Sequence, residues 1–138
     1  MDDLRRAAAL LQEEGAACVV LHGDTHISAA GLGVRPLLQY RKELSGAVVA
    51  DKVVGKAAAL LAVAFGVRAL YGAVMSKPAE AVLQGHGIPF AYGTLVSHIV
   101  NRTGDGMCPL EAAVWDIDDP AAGVAAVEQK VAELMKNK

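Results

Sequence analysis

The sequence has little cysteine, no excess of positive charge and no long apolar run. Only Cys18 and Cys108 are present, far apart and in different contexts, which excludes a disulfide framework and predicts a reduced, cytoplasmic protein. The 13 basic and 15 acidic residues give a net charge of −2 and form no basic stripe, so we expect no nucleic-acid partner. The longest apolar run, AAALLAVAFG, is too short to cross a bilayer, and the acidic start differs from a secretory signal, so we expect no membrane partner.

The composition is that of a folded protein. Hydrophobic residues make up 54% of the sequence and charged residues 20%, which excludes a disordered chain. A length of 138 residues is sufficient for one domain with its own core. Because we find no repeat, low-complexity tract or linker, we predict a single domain over residues 1–138.

Helical and strand patterns alternate along the chain. Two apolar, β-branched runs at 16–22 and 25–30 flank Gly23-Asp24, a pair typical of a tight hairpin turn. The predicted helices are 2–14, 36–44, 51–66, 77–87, 95–100 and 120–138. The other predicted strands are 67–75 and 88–93, and 47–50 is either a short strand or an extended lead-in. Residues 109–117 fit a helix or a strand. This order predicts an α/β fold, a three-layer α-β-α sandwich with a mixed sheet of about five strands that opens with a β-hairpin.

Three segments resemble a known prokaryotic family. VVADKVVGKAAALL, HGIPFAYG and above all NRTGDGMCPLE are similar to the family called domain of unknown function eighteen-ninety-three. The resemblance covers roughly residues 15–115, most of the chain. It implies a fold similar to that of the cytidine deaminases, but it implies neither a substrate nor a reaction.

The deaminase-like fold allows a test for zinc. Zinc deaminases carry a His or Cys and a catalytic Glu at the start of the central helix, and a P-C-x-x-C motif at the start of the next helix. Here the corresponding segments read DKVVGK at 51–56 and SKPAE at 76–80, and the chain has no CxxC. We therefore predict no zinc-hydroxide deamination, no metal site and no cofactor.

Two lysines replace the metal ligands at the predicted start of the central helix. Lys52 and Lys56 are one helical turn apart, which predicts that they share a face, and Gly55 keeps that face open. With free helix N–H groups they would bind an anion, with Asp51 orienting them and Ser76 contributing from the next helix. Lys52 is also a candidate catalytic residue. Alternatively, both lysines extend to solvent at the rim of a buried helix.

The loop NRTGDGMCPLE contains a second set of candidates. Gly104 and Gly106 permit backbone conformations that other residues avoid, and Asp105 is a typical turn residue. Asn101 and Arg102 precede them and are candidate ligands for an anion. We therefore interpret this loop as part of a binding site, with a simple turn as the alternative.

Cys108 follows this turn. Pro109 favours a helix start, which places Cys108 at the N-cap and Glu111 in the first turn, as a further candidate binding residue. A cysteine at a helix N-terminus tends to be reactive, so Cys108 is a candidate nucleophile or redox thiol. Because free cysteine is often only a small buried hydrophobe, a structural role is the alternative.

Two functions remain open from the sequence. The first is a small-molecule binding protein, or an enzyme without zinc, whose cleft takes a small anionic ligand that is nucleotide-like by analogy of fold. The second is a non-catalytic regulatory or assembly domain whose motifs serve packing and a homo-oligomer interface. The two functions differ in where they place the candidate residues. The first function predicts that the start of the central helix and the GDGMC loop face each other across one cleft.

Overall fold

The computed structural model describes residues 2–31, 33–101 and 103–136. The described residues form five strands, six α-helices and a short 3-10 helix at Arg41–Glu43. The strands are β1 (Cys18–His22), β2 (Thr25–Ala29), β3 (Val48–Val54), β4 (Ala69–Ser76) and β5 (Phe90–Val96). The α-helices are α1 (Asp2–Glu14), α2 (Arg35–Gln39), α3 (Lys56–Ala64), α4 (Lys77–Gly85), α5 (Pro109–Ala113) and α6 (Pro120–Lys136).

The strands form one mixed sheet in the order β2-β1-β3-β4-β5. Strand β1 is antiparallel to both β2 and β3, whereas β3, β4 and β5 are parallel. The crossovers between the parallel strands contain α3 and α4, since parallel neighbours cannot be joined by a tight turn. The predicted mixed sheet of about five strands with an opening hairpin is therefore confirmed.

Helices cover the sheet on both sides. Helix α1 packs on one face through a small core that includes Leu4, Leu11, Val19 and Val48. The larger core lies on the other face and contains α3, whose residues 56–62 are all buried. Helices α4 and α6 pack against α3. This arrangement confirms a three-layer sandwich, and it leaves the starts of α3 and α4 together at the carboxyl ends of β3 and β4.

Two predicted helices disagree with the structure, one in its start and one in its existence. The helix expected at 51–66 begins only at Lys56, because β3 continues through Val54 in register with β4. The short helix expected at 95–100 does not form, since residues 94–96 continue β5 beside β4. In both segments β-branched residues extend a parallel ladder, and this tertiary pairing decides the outcome.

The remaining predictions of elements agree with the structure in type. Residues 109–113, which fitted either type, form helix α5, and the predicted tail helix is α6, with the last two residues lying outside the described part. The predicted helix at 36–44 is divided into α2 and the 3-10 helix. Within the described ranges, no helix has both the length and the apolar character needed to span a bilayer.

Candidate functional site

The residues expected to converge on one cleft are divided among several places in the structure. Ser76, Glu111 and the backbone of Lys56 meet in a buried cluster at the starts of α3 and α4. The side chain of Lys56 extends from this cluster into a small cavity. Asn101 and Cys108 line a larger cleft on the side of α2 and α6.

Glu111 occupies the N-terminus of α3. Its carboxylate is 1% exposed and accepts hydrogen bonds from the Lys56 backbone N–H and, at 3.3 Å, from Ser76 Oγ. Its second oxygen accepts a hydrogen bond of 2.7 Å from the Ile99 N–H. A Cβ on Gly55 would lie 3.0 Å from Glu111 Oε1, so glycine permits this close approach. The protein's own carboxylate thus fills the helix N-terminus where the sequence predicted an external anion.

Ser76 links this cluster to the next helix. As the N-cap of α4, its Oγ accepts a 3.2 Å hydrogen bond from the Ala79 N–H while it donates to Glu111. These are the usual contacts of a capping serine, and they give the buried Ala79 N–H an acceptor that the first turn of the helix does not supply.

This cluster does not fit a zinc ion. Both Glu111 oxygens already accept backbone N–H groups, and the neighbouring Gly55, Lys56 and Ser76 supply no imidazole or thiolate. Among the described residues, no three His, Cys, Asp or Glu side chains are grouped as metal ligands. Tetrahedral zinc needs such a set.

The two lysines do not share a face. Lys52 lies on β3 with an exposed side chain, whereas Lys56 is the first residue of α3 and its side chain is 6% exposed. The expected pairing is wrong because the chain is extended, not helical, between them. The Lys56 ammonium donates hydrogen bonds of 2.8 Å to the Trp115 carbonyl and 2.9 Å to Asp118 Oδ1.

Asp51 is buried away from both lysines. It is 5% exposed, and it lies opposite Cys18 in the register of β1 and β3. The Val53 N–H donates to its Oδ1 at 3.4 Å, while Oδ2 has no partner among the described residues. Burial raises the pKa of Asp51 to about 7, against the opposing effect of backbone N–H groups. Burial and the neighbouring Asp51 also raise the pKa of the Cys18 thiol.

Side-chain hydrogen bonds hold the glycine-rich turn together. Asp105 Oδ1 accepts 2.6 Å and 2.9 Å hydrogen bonds from Thr103 Oγ and Asn101 Nδ2, which keep the pKa of Asp105 below its usual range. Gly104 has φ 75°, a left-handed conformation that favours glycine, whereas Gly106 has no positive φ. The turn is exposed at 103–106, and Arg102 lies outside the described residues.

A cleft of about 620 Å³ opens beside Cys108, and we call it the Cys108 cleft. Its described lining comes from the start of α2, the end of β3, the loop before α5 and the end of α6: Gly33, Val34, Arg35, Val53, Ile99, Val100, Asn101, Thr103, Cys108, Pro109, Leu110, Val131 and Leu134. Cys108 is the N-cap of α5, as predicted, and is half-buried. Its N–H donates a 2.8 Å hydrogen bond to the Ile99 carbonyl.

Sequence reasoning missed Arg35. This half-buried residue begins α2 and is the one charged side chain in the described lining of the Cys108 cleft. The only local signal was Pro36, which marked the helix start but not the direction of the arginine. Nothing in the sequence relates α2 to a loop about seventy residues further on.

The comparisons with known proteins agree with this fold. The family described as domain of unknown function (DUF1893) matches residues 6–131. The crystal structure of a DUF1893 family protein from Thermotoga maritima is similar to this fold, with a TM-score of 0.86 and 28% sequence identity. The matched region includes 94% of this chain and 90% of the Thermotoga chain. The curated proteins contain no match. Because the family match extends over most of the sequence, the chain belongs to the DUF1893 family.

Proposed function

We propose that this protein binds a small anionic molecule with an apolar body in the Cys108 cleft. The observation that carries this proposal is the single cation, Arg35, in a cleft of about 620 Å³ whose other described residues are mainly apolar. Ligand pockets typically have volumes of about 300–1,000 Å³, apolar walls and a few polar groups that set the orientation.

The ligand chemistry follows from the lining. Val53, Ile99 and Leu110 offer apolar contacts, while Arg35 offers the planar donor pattern that matches a carboxylate or phosphate. Asn101 and Thr103 lie on the same lining and offer neutral hydrogen-bonding groups. A nucleotide-like ligand fits this description, and the deaminase-like fold implied by the family resemblance supports that choice by analogy alone.

The lining favours binding over catalysis. No histidine or carboxylate is among the described residues of the cleft, so Cys108 has no neighbouring general base there. Lys52, the other candidate catalytic residue, lies exposed on β3 and is absent from this lining. Two separate free thiols are consistent with our proposal of a reducing, cytoplasmic location.

A thermal-shift comparison tests the proposal. We expect nucleoside monophosphates to stabilise the wild-type protein and the matched neutral nucleosides to have little effect. Arg35→Met keeps an apolar side chain but removes the charge, so it is expected to weaken monophosphate binding about 10- to 100-fold. Arg5→Met, which removes an exposed charge from α1, is the matched control and leaves binding unchanged. Equal responses to charged and neutral ligands, or an unchanged response in Arg35→Met, would contradict the proposal.

A second candidate function is a homo-oligomer interface at the same surface. The specific observation is that Val53, Val100 and Leu134 are exposed large hydrophobic residues that all line the Cys108 cleft. Exposed apolar clusters of this kind mark interaction sites. Light scattering after gel filtration tests this function: a dimer that Val100→Asp dissociates supports it, and a wild-type monomer at all accessible concentrations rejects it.

A further inference from the structure

A second cavity, of about 260 Å³, lies along α4 and is also lined by Lys56 and Asp118. We call it the Lys56 cavity. Its lining includes Lys56, Asp118, His86, Pro78, Ala81 and Val82. None of these residues lines the Cys108 cleft, so binding in the Lys56 cavity does not depend on the proposed function.

The Lys56 ammonium supplies a buried positive charge to this cavity. The Lys56 side chain is 6% exposed, and an ammonium has three N–H donors. Within the described residues two acceptors are present, the Trp115 carbonyl at 2.8 Å and Asp118 Oδ1 at 2.9 Å. A third donor therefore remains for an occupant of the cavity that Lys56 lines.

The counter-charge of Lys56 is poorly placed to stabilise a buried cation. The Asp118 side chain is 90% exposed, so water solvates and screens its carboxylate. An anion inside the cavity would meet the ammonium with less screening. Asp118, which reaches in from the surface, is thus a carboxylate that a better-placed ligand can displace.

The walls restrict the class of anion. Pro78, Ala81 and Val82 provide an apolar surface along α4, while His86 lies at the end of the same helix. We propose that the Lys56 cavity binds a short-chain carboxylate, with the carboxylate on the Lys56 ammonium in place of Asp118 and the alkyl chain against α4. Inorganic phosphate has the charge but not the apolar part, so it distinguishes this class from a general anion site.

Titration with butyrate, followed by NMR of the His86 ring, tests the proposal. We expect saturable shifts of the His86 resonances in the wild-type protein, and weaker binding of inorganic phosphate. Lys56→Met keeps the apolar stem and is expected to weaken butyrate at least about tenfold, because a charge-assisted hydrogen bond is lost. Asp118→Asn removes the competing carboxylate and is expected to tighten butyrate about threefold.

Asp116→Asn is the matched control. It removes an exposed carboxylate two residues from Asp118 that does not line the cavity, and it should change butyrate affinity less than about twofold. Saturable binding that depends on Lys56 and tightens only in Asp118→Asn supports the proposal. An unshifted His86, stronger binding of phosphate than of butyrate, or equal tightening in Asp116→Asn overturns it. The comparison of butyrate affinity between Asp118→Asn and Asp116→Asn tests the proposal even if Lys56→Met fails to fold.

Discussion

Two regions of the molecule contain the same chemical pair, a cysteine and a buried carboxyl group, in opposite environments. On the sheet, Cys18 and Asp51 face each other on paired strands, and one Asp51 oxygen has no partner among the described residues. At α5, Glu111 accepts hydrogen bonds at both oxygens, and Cys108 lines an open cleft.

The comparison shows that burial alone does not define the role of a carboxyl group. Glu111 connects α3, α4 and the loop at Ile99, and it accepts from two buried donors, the Lys56 N–H and the Ser76 hydroxyl, and from the part-buried Ile99 N–H. Asp51 connects nothing comparable, and the pKa of about 7 shows the cost of ionising it there. We therefore interpret Glu111 as a structural anchor and Asp51 as a source of pH-dependent instability.

The largest expected contrast is between the two thiols. A thiol-alkylating reagent should modify Cys108 in the folded protein, whereas Cys18 is fully buried and its pKa is raised by burial and by Asp51. Cys18 then reacts only when the core opens, which costs about 5 kcal/mol or more and slows labelling at least several thousandfold. Mass spectrometry should detect one modified cysteine under native conditions and two in denaturant.

Cys108→Ser is the control for this contrast. The variant should remain unlabelled while folded, since its remaining thiol is Cys18. Rapid labelling of Cys18 in the folded protein would show that β1 is accessible and would remove the distinction between the two regions.

Asp51 should make folding stability decrease with rising pH. Its folded-state pKa of about 7 lies above the ordinary value of 3.8, so between these values the folded state binds more protons than the unfolded state. The free energy of unfolding therefore falls across this interval, by up to about 4 kcal/mol in all. Asp51→Asn, which is neutral at every pH, should remove this decrease and be more stable than the wild type at pH 8.

The measurement is urea denaturation of both proteins from pH 4 to pH 8. The difference between them isolates Asp51 from other titrating groups, such as Asp105, whose lowered pKa acts in the opposite direction at acid pH. A constant difference in stability across this range would mean that folding does not raise the pKa of Asp51.

Much of the fold could be predicted because its signals are local. The pair Gly23-Asp24 marked the hairpin between β1 and β2, and Pro109 marked the start of α5. The boundary between β3 and α3 could not be predicted, because DKVV fits a helix or a strand by itself. The pairing of this segment with β4 makes it a strand, and β4 is distant in the sequence.

The site was less predictable for the same reason. Sequence placed Cys108 at an N-cap and Glu111 in a first turn, and both positions are confirmed. The role of Glu111 depends on Lys56, 55 residues away, and that distance cannot be read from spacing along the chain. A pair at i and i+4, such as Lys52 and Lys56, indicates a shared face only where the chain is helical, and here it is not.

The smallest of these effects, and the sharpest test of Glu111 as an anchor, is Glu111→Gln. The glutamine amide has one acceptor oxygen and one NH₂ group, so whichever way it turns, either the Lys56 or the Ile99 N–H meets a donor. One buried unsatisfied donor costs about 1–3 kcal/mol, and we expect about 2 kcal/mol lower stability by urea denaturation. The matched control, Glu128→Gln, breaks an exposed ion pair with Arg41 and should cost less than about 1 kcal/mol. Amide hydrogen exchange should also accelerate, in Glu111→Gln alone, at whichever of Lys56 and Ile99 loses its acceptor, because both amides donate to the Glu111 carboxylate. Equal losses in the two variants would show that Glu111 is no more an anchor than a surface carboxylate, and would remove the contrast with Asp51, since both carboxyl groups are buried.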